Sequence, residues 1–305
     1  MIVSITERRG SDLPLNDELI RKERNYYVVK ANELITKSRY SLSAQQQKIL
    51  LYLISHIKPD DEMDTIYDFS IKDFAKVCGY DLSSGYYYPL IKEDIKKLRD
   101  FSSWIEIEKG KEVLFSWLNT VELNRNSGEI KISFHSTVAP YLFQLRERYT
   151  QYNLYQVLCL SHKYSIRLFE FLLSMRYKEV FEIDIETLKK RIDAEKYDKI
   201  SHFKDRIFIP AINEINDYTE LNIEYTFKKT GKKITHIIFR YIEEDGFSFA
   251  VSKRFREIKL DPERRKTAKA EKKEREERIR QREAAIEAEG TITAQLTIDE
   301  LFEKK

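Results

Sequence analysis

Cysteine occurs only twice in the 305 residues, at Cys78 and Cys159, too few for a disulfide framework or a cysteine-based metal site. Glycine (8) and proline (6) are scarce as well, which excludes collagen-like, glycine-linker and proline-rich chains. The longest apolar run is Ile49–Ile54, far below the roughly 20 residues needed to span a bilayer, and Met1–Asp12 mixes acids and bases where a secretory signal would be apolar. The expectation is a cytoplasmic chain with no membrane contact. Catalytic signatures are also missing. Neither Gly110-Lys111 nor Gly231-Lys232 is preceded by a glycine five positions earlier or followed by Ser or Thr, so no phosphate loop of the Walker type is present. His56, His135, His162, His202 and His236 are scattered, and none forms the His-apolar-His triplet that holds a metal beside a nucleophilic tyrosine. The 19 tyrosines include Tyr86–Tyr88, which read as packing and groove-edge residues. A binding protein is expected, with no enzymatic activity, cofactor or metal.

Hydrophobic residues make up 42% and the length suits about two domains. The formal net charge is +3. From Val251 onward there are 16 basic and 13 acidic residues, leaving 38 of each before it, so the body is neutral and an anionic partner has to be argued from local clusters. Lys253–Glu287 is mostly Lys, Arg and Glu and cannot bury a core of its own. It reads as a solvated helix or a disordered tail, with a nonspecific nucleic-acid arm as the alternative. Near the end, Thr297 and Glu300 form a capping box that would start a short amphipathic docking motif.

Within the body one order of elements appears twice, offset by about 115 residues. The first copy starts at Ser43 and Gln46, a capping box ahead of Ile49, Leu50, Leu53, Ile54 and Ile57; the second starts at Leu160-Ser161, with Ile166, Phe169, Leu172 and Leu173 inward. A short helix follows in each, capped by Ser70 and by Asp184. The third helix carries Leu90, Ile95, Leu98 and Phe101 after Pro89 in the first copy, and Ile200, Phe203, Ile207, Ala211 and Ile215 in the second. Alternating strands come next: 104–108 and 113–118 around Gly110, then 221–227 and 234–242 around Gly231. A further hairpin around Asn126-Ser127-Gly128 is expected to extend the first copy's sheet. Three helices followed by a hairpin make a winged helix-turn-helix. The expected fold is therefore α+β: an N-terminal arm (1–24), two tandem winged-helix domains (25–150 and 151–250) and a charged helical or disordered C-terminal tail (251–305).

The second copy carries the clearer basic cluster. With Phe203, Ile207 and Ala211 buried, a helix of about 100° per residue turns His202 and Arg206 outward, beside Lys199. Arg206 fits a bidentate contact to guanine, and Ser201 or His202 a second base edge. Lys204, nearer the apolar border, suits a phosphate. Asp205 would repel phosphate unless it accepts from a cytosine amino group. Pro210 should kink or break the helix near Ile209, because it lacks an N–H and crowds the carbonyl of Arg206. Lys228, Lys229, Lys232 and Lys233 bracket Gly231 with no acid between them, as a backbone clamp or an ordinary solvated loop. The first copy's wing, Glu108–Glu112, is charge-balanced, while Lys92, Lys96 and Arg99 line one face of its third helix for backbone contact or simply for solvent.

The stretch Leu160-Ser161-His162-Lys163-Tyr164-Ser165-Ile166-Arg167-Leu168-Phe169-Glu170, together with Pro210-Ala211-Ile212-Asn213-Glu214-Ile215-Asn216 and Leu221-Asn222-Ile223, resembles the replication initiator (Rep) proteins of iteron-containing theta plasmids. The similarity runs from about Asn25 to Ile242. It implies a monomer that binds direct repeats in double-stranded origin DNA, helps open the duplex and recruits host replication proteins such as the chromosomal initiator and helicase. It also implies a dimer, formed largely through the first domain, that represses its own promoter. Asp205 departs from the more basic helix of that family, and the charged tail lies outside the resemblance. A winged-helix transcriptional regulator and, more remotely, a rolling-circle nickase are the other readings.

Overall fold

The computed structural model describes residues 17–80, 85–108, 110–242 and Leu260. Helix α1 (Asp17–Arg24), strand β1 (Tyr27–Ala31) and helix α2 (Asn32–Lys37) precede the first module. Helix α3 (Ala44–Ile54) starts where the sequence placed its capping box: Ser43 Oγ accepts from the Gln46 amide at 3.1 Å, and Gln46 Oε1 accepts from the Ser43 amide at 2.9 Å. Strand β2 (Tyr67–Ser70) runs into α4 (Ile71–Val77), whose cap Ser70 accepts from Lys72 and Asp73. After the turn at Gly79, α5 (Tyr87–Asp100) buries Ile91, Ile95 and Leu98.

Four strands follow: β3 (Ser102–Glu108), β4 (Lys111–Ser116), β5 (Leu118–Leu123) and β6 (Glu129–Phe134). Their pairing corrects the expected wing. β3 and β4 form a two-stranded ribbon, joined to the rest by an isolated antiparallel bridge from Ile105 to Ser38, whereas β5 and β6 join β2 in a three-stranded sheet of order β2-β6-β5. The first module's wing is thus the β5–β6 hairpin. The Glu108–Glu112 hairpin is an insertion, and the second hairpin builds the module's sheet rather than extending one made by β3 and β4. Both hairpins alternate and turn at a glycine, so periodicity could not decide which of them meets β2.

Strand β7 (Tyr149–Asn153), helix α6 (Leu154–Cys159) and helix α7 (Lys163–Met175) lead into the second module. There β8 (Val180–Asp184), α8 (Ile185–Ile192), a helical run over residues 200–218, β9 (Ile223–Thr230) and β10 (Lys233–Tyr241) repeat the order, with sheet order β8-β10-β9. The two copies agree in detail. Ser70 and Asp184 cap equivalent helices, and these end beside residues of left-handed backbone, Gly79 (φ +69°) and Asp193 (φ +61°).

Helix α7 is where the modules meet. Tyr164 to Leu172 are buried without a break, so this helix has no solvent face. Its polar residues are used for joining. Arg167 lies 4.0 Å over the Tyr40 ring and donates to the carbonyls of Ser38, before the first module, and Arg191, in α8. Lys163 donates to Ser41 and Asp193. Glu170 accepts from Lys30 Nζ on β1 at 2.8 and 3.0 Å and from the Tyr152 hydroxyl on β7 at 2.6 Å, all three buried. Burial and the Glu170 charge push the Tyr152 phenol well above its ordinary range and keep it a donor. β1 and β7 pair antiparallel, Tyr27 opposite Asn153 through Ala31 opposite Tyr149. The triad thereby fixes the whole ribbon to α7.

The charged segment 253–287 and the Thr297–Glu300 capping box lie outside the described residues, with one exception. Leu260 is 2% exposed, and its carbonyl accepts from Arg24 Nη2 at 3.0 Å. A Cβ on Gly79 would stand 2.1 Å from that oxygen, so glycine is required there for space as well as for backbone angle. The segment's composition rules out a core of its own, but a single leucine can complete the core of the first module. Among the described residues no helix is long and apolar enough to cross a membrane.

Removing one charge of the buried pair leaves the other stranded. Lys30→Met should cost about 3–5 kcal/mol in urea unfolding, and Lys30→Met/Glu170→Gln should regain at least half of that loss. Equal destabilisation of the single and double variants would show that packing, not charge pairing, sets the cost.

Candidate nucleic-acid interface

In the second module α8 holds the following helix in place. Asp184 caps it by accepting from the Thr187 amide at 2.9 Å and the Thr187 hydroxyl at 3.1 Å. Lys189 is buried with its ammonium 2.7 Å from Glu186 and 5.6 Å from the Phe203 ring. Phe203, Ile207, Phe208, Ala211, Ile212 and Ile215 form the inward side of the run 200–218. From inside it, Glu214 reaches back to accept from the Ser161 and His162 amides at the start of α7, at 2.6 and 3.4 Å. This second-copy helix start, where Tyr164 stands in the closing position of the capping box, is thus satisfied by a carboxylate from another helix.

Of the kink or break expected near Ile209, the structure shows a change of helix type and not an end of the helical run. The run begins as α9 (Ile200–Phe203), widens to a π-helical turn over Lys204–Phe208 and continues as α10 (Ile209–Tyr218), with helical backbone at Lys204 and Ile209. A π turn sets its hydrogen bonds one residue further apart, which accommodates the missing Pro210 N–H and the crowded carbonyl of Arg206 without ending the helix. The outward half therefore stays joined to the core-packed half through helical backbone.

Ser201, His202 and Arg206 are exposed on the first turns, and Lys199 is exposed just ahead of them. Asp205 is exposed alongside. Lys204 is half-buried, 5.7 Å over the Phe227 ring of β9 and 3.9 Å from Asp205. The wing turns at Gly231 (φ +61°), beneath a Thr230–Thr235 hydroxyl contact of 2.9 Å. Lys229, Lys232 and Lys233 are exposed near its tip, and Lys228 donates to Glu182 of β8 at 2.9 and 3.0 Å. Sequence proximity hid that acid, because β8 lies two strands away across the sheet. In the first module Lys92, Lys96 and Arg99 are all exposed on α5, apart from the second module's cluster, and Arg125 is exposed in the true wing turn. A cleft of about 200 Å³ gathers Lys37, Arg39, Lys190 and Arg191 between α2, the β3–β4 ribbon and α8. These residues are too far apart in the chain for any local pattern to have grouped them. Among the described residues no three His, Cys, Asp or Glu side chains gather as a metal site.

Two family models match this architecture: "Initiator Replication protein, WH1" over residues 27–173 and "Initiator Rep protein, WH2" over residues 184–241. The chain belongs to the initiator Rep protein family. The first match runs through most of α7, the helix that both modules share. An Escherichia coli "Replication initiation protein" is 26% identical over 227 residues, covering 70% of this chain and 68% of its own. An Escherichia coli "Uncharacterized 27.6 kDa protein" is 23% identical over 237 residues, covering 73% and 97%. The fold is that of a solved Pi initiator protein in complex with iteron DNA, with a TM-score of 0.60 at 20% identity over 73% of this chain and 99% of that one. The tandem winged-helix Rep architecture is therefore established for this chain.

The Thr187 hydrogen bonds, reinforced by His236, hold the Asp184 carboxyl below its ordinary value. A depressed value stabilises the fold above the unfolded carboxyl's range and is lost as pH falls through the folded one. Asp184→Ala should cost about 1 kcal/mol at neutral pH, and its deficit against the parent chain should shrink below about pH 4. Urea midpoints across pH check this; a deficit unchanged at low pH would remove the ionised cap from the account.

Proposed function

We propose that this Rep family member initiates plasmid replication by binding repeated origin DNA (iterons) in the duplex, with the second module reading sequence. The observation that carries this reading is the exposure of Ser201, His202 and Arg206 on the first turns of a core-anchored helix, with Lys199 exposed just ahead of them and Lys229, Lys232 and Lys233 exposed on the wing that follows. A helix N-terminus favours phosphate through its open amides, and its first residues reach base edges. Arg206 is assigned to guanine O6 and N7, Ser201 or His202 to a neighbouring base edge, and Lys204, Lys228, Lys229, Lys232 and Lys233 to the backbone. Lys228 would exchange Glu182 for phosphate on binding. Lys92, Lys96 and Arg99 of α5 are assigned to the backbone of the first module's segment. The likeness to an initiator solved with iteron DNA supports the choice of ligand. The work is done by binding, with no bond made or broken, in the cytoplasm.

Self-association belongs to the same reading. Trp104 and Leu114 stand directly opposite each other on the two-stranded β3–β4 ribbon, 54% and 48% exposed. An exposed aromatic–aliphatic cross-strand pair supports the ribbon as the contact with a second copy, in the dimer that would repress its own promoter. Recruitment of the host initiator and helicase would follow origin opening by the monomer.

Arg206→Ala should weaken binding to a repeat by about 1–3 kcal/mol and relax one base preference, while Lys232→Ala should weaken binding to every sequence and flatten the salt slope by about 1. Gel shifts on repeat and scrambled duplexes at several salt concentrations separate the two effects, and unchanged binding by Arg206→Ala would overturn the groove assignment. An origin fragment supplied with this protein alone should replicate; repression without replication would make the chain a regulator instead. Metal-dependent cleavage of supercoiled origin DNA with a tyrosine adduct would make it a nickase. Leu114→Lys should reduce the dimer fraction in sedimentation while leaving monomer binding to a repeat intact.

A further inference from the structure

We propose that the start of α5 is a thymine-reading surface: Tyr86, Pro89 and Leu90 meet thymine C5-methyl groups in the major groove held by the first module. The inference deepens the DNA-binding reading above and rests on it. In the first module α5 holds the place that residues 200–218 hold in the second, after the capped helix and its left-handed residue and before the wing. The chemistry at that place differs. Where the second module exposes Ser201, His202 and Arg206, the first exposes Tyr86 (62%), Pro89 and Leu90 (38%).

These groups have no part in the core, which takes Ile91, Ile95 and Leu98 from the other side of the helix. Their backing is firm. Tyr80 and Tyr87 stack at 4.6 Å with planes 4° apart, and Tyr86 meets the Tyr87 ring edge-on at 5.4 Å. Tyr88 packs on the true wing turn, so closely that a Cβ on Gly128 would lie 3.4 Å from its ring. The helix start and the wing are thus braced together through Tyr87 and Tyr88, and the backbone that carries Tyr86, Pro89 and Leu90 is positioned by that packing.

The surroundings identify the occupant as duplex DNA rather than an apolar peptide. Lys92, Lys96 and Arg99 are exposed on one flank of α5 with Leu90 on the other, and Lys97, Glu93 and Asp100 are exposed between these flanks, so that the cations can meet phosphates while the helix start faces base edges. Glu93, exposed between them, suits an exocyclic amino group of cytosine. In the major groove the methyl group is the one apolar feature, and it belongs to thymine alone. The two modules would accordingly divide the repeat, with a thymine-rich part for the first and a guanine-containing part for the second.

The test uses the full-length chain and a duplex that it recovers from a randomised pool. Each thymine is replaced in turn by uracil, which deletes only the methyl group. Uracil should lower affinity about fourfold per buried methyl at two or three thymines outside the segment that responds to Arg206→Ala. Tyr86→Ala and Leu90→Ala should weaken binding to the parent duplex and abolish that uracil response, while keeping the parent melting temperature and the Arg206-dependent guanine preference. The inference is overturned if every uracil probe outside that segment binds within twofold of the parent, or if either variant binds more weakly yet responds to uracil as before. If the chain recovers no preferred sequence at all, the DNA-binding reading fails first and takes this inference with it.

Discussion

Lys30 and Glu170 form an ion pair from which water is excluded, and the arrangement of the two modules depends on it. The cost of taking both charges out of water is offset only while the pair stays intact and its remaining acceptor capacity is used, which Tyr152 does. Because the three residues come from β1, β7 and α7, the pair holds closed a ribbon whose strands are separated by the whole first module. A hydrophobic contact in that place would tolerate sliding. A buried charge pair with both carboxylate oxygens engaged favours one register.

Around that point α7 serves both halves. It is the opening helix of the second module and also packs against α2, ahead of the first module, and α3 within it. Arg167 and Lys163 extend the connection to Ser38, Ser41, Arg191 and Asp193. Much of this contact is polar and directional, so it determines orientation as well as adhesion. In the proposed function, where the modules read successive stretches of one duplex, that orientation matters because a displaced helix would address the wrong base pairs.

The π-helical turn is part of the same economy. Pro210 belongs to the segment that carries the family resemblance, and it sits where the outward-facing first turns join the buried remainder of the helix. Widening a single turn keeps Arg206 on helical backbone that leads directly into the buried Phe208 and Ile212. The repeated scaffold then differs mainly in what it exposes: polar and cationic groups in the second module, aromatic and aliphatic groups with flanking cations in the first.

Helix caps, apolar faces and the duplication were legible in the residue order, since each is a local matter: Ser43 with Gln46, Ser70, Asp184, and the spacing of Ile49, Ile95 and Phe203 act within one or two turns, although Leu90, read with Ile95 as inward, is 38% exposed and Ile91 takes the core place beside it. From these the sequence by itself determined two winged-helix units and an outward Arg206. Long-range pairing had no such signature. That β6 rather than β4 meets β2, that Glu182 engages Lys228, that Glu214 caps α7 and that Leu260 enters the first module's core were decided only by the tertiary structure. Each joins residues brought together by chain closure, and alternation, composition and charge are the same for a strand or a lysine whichever partner the folded chain finally places beside it.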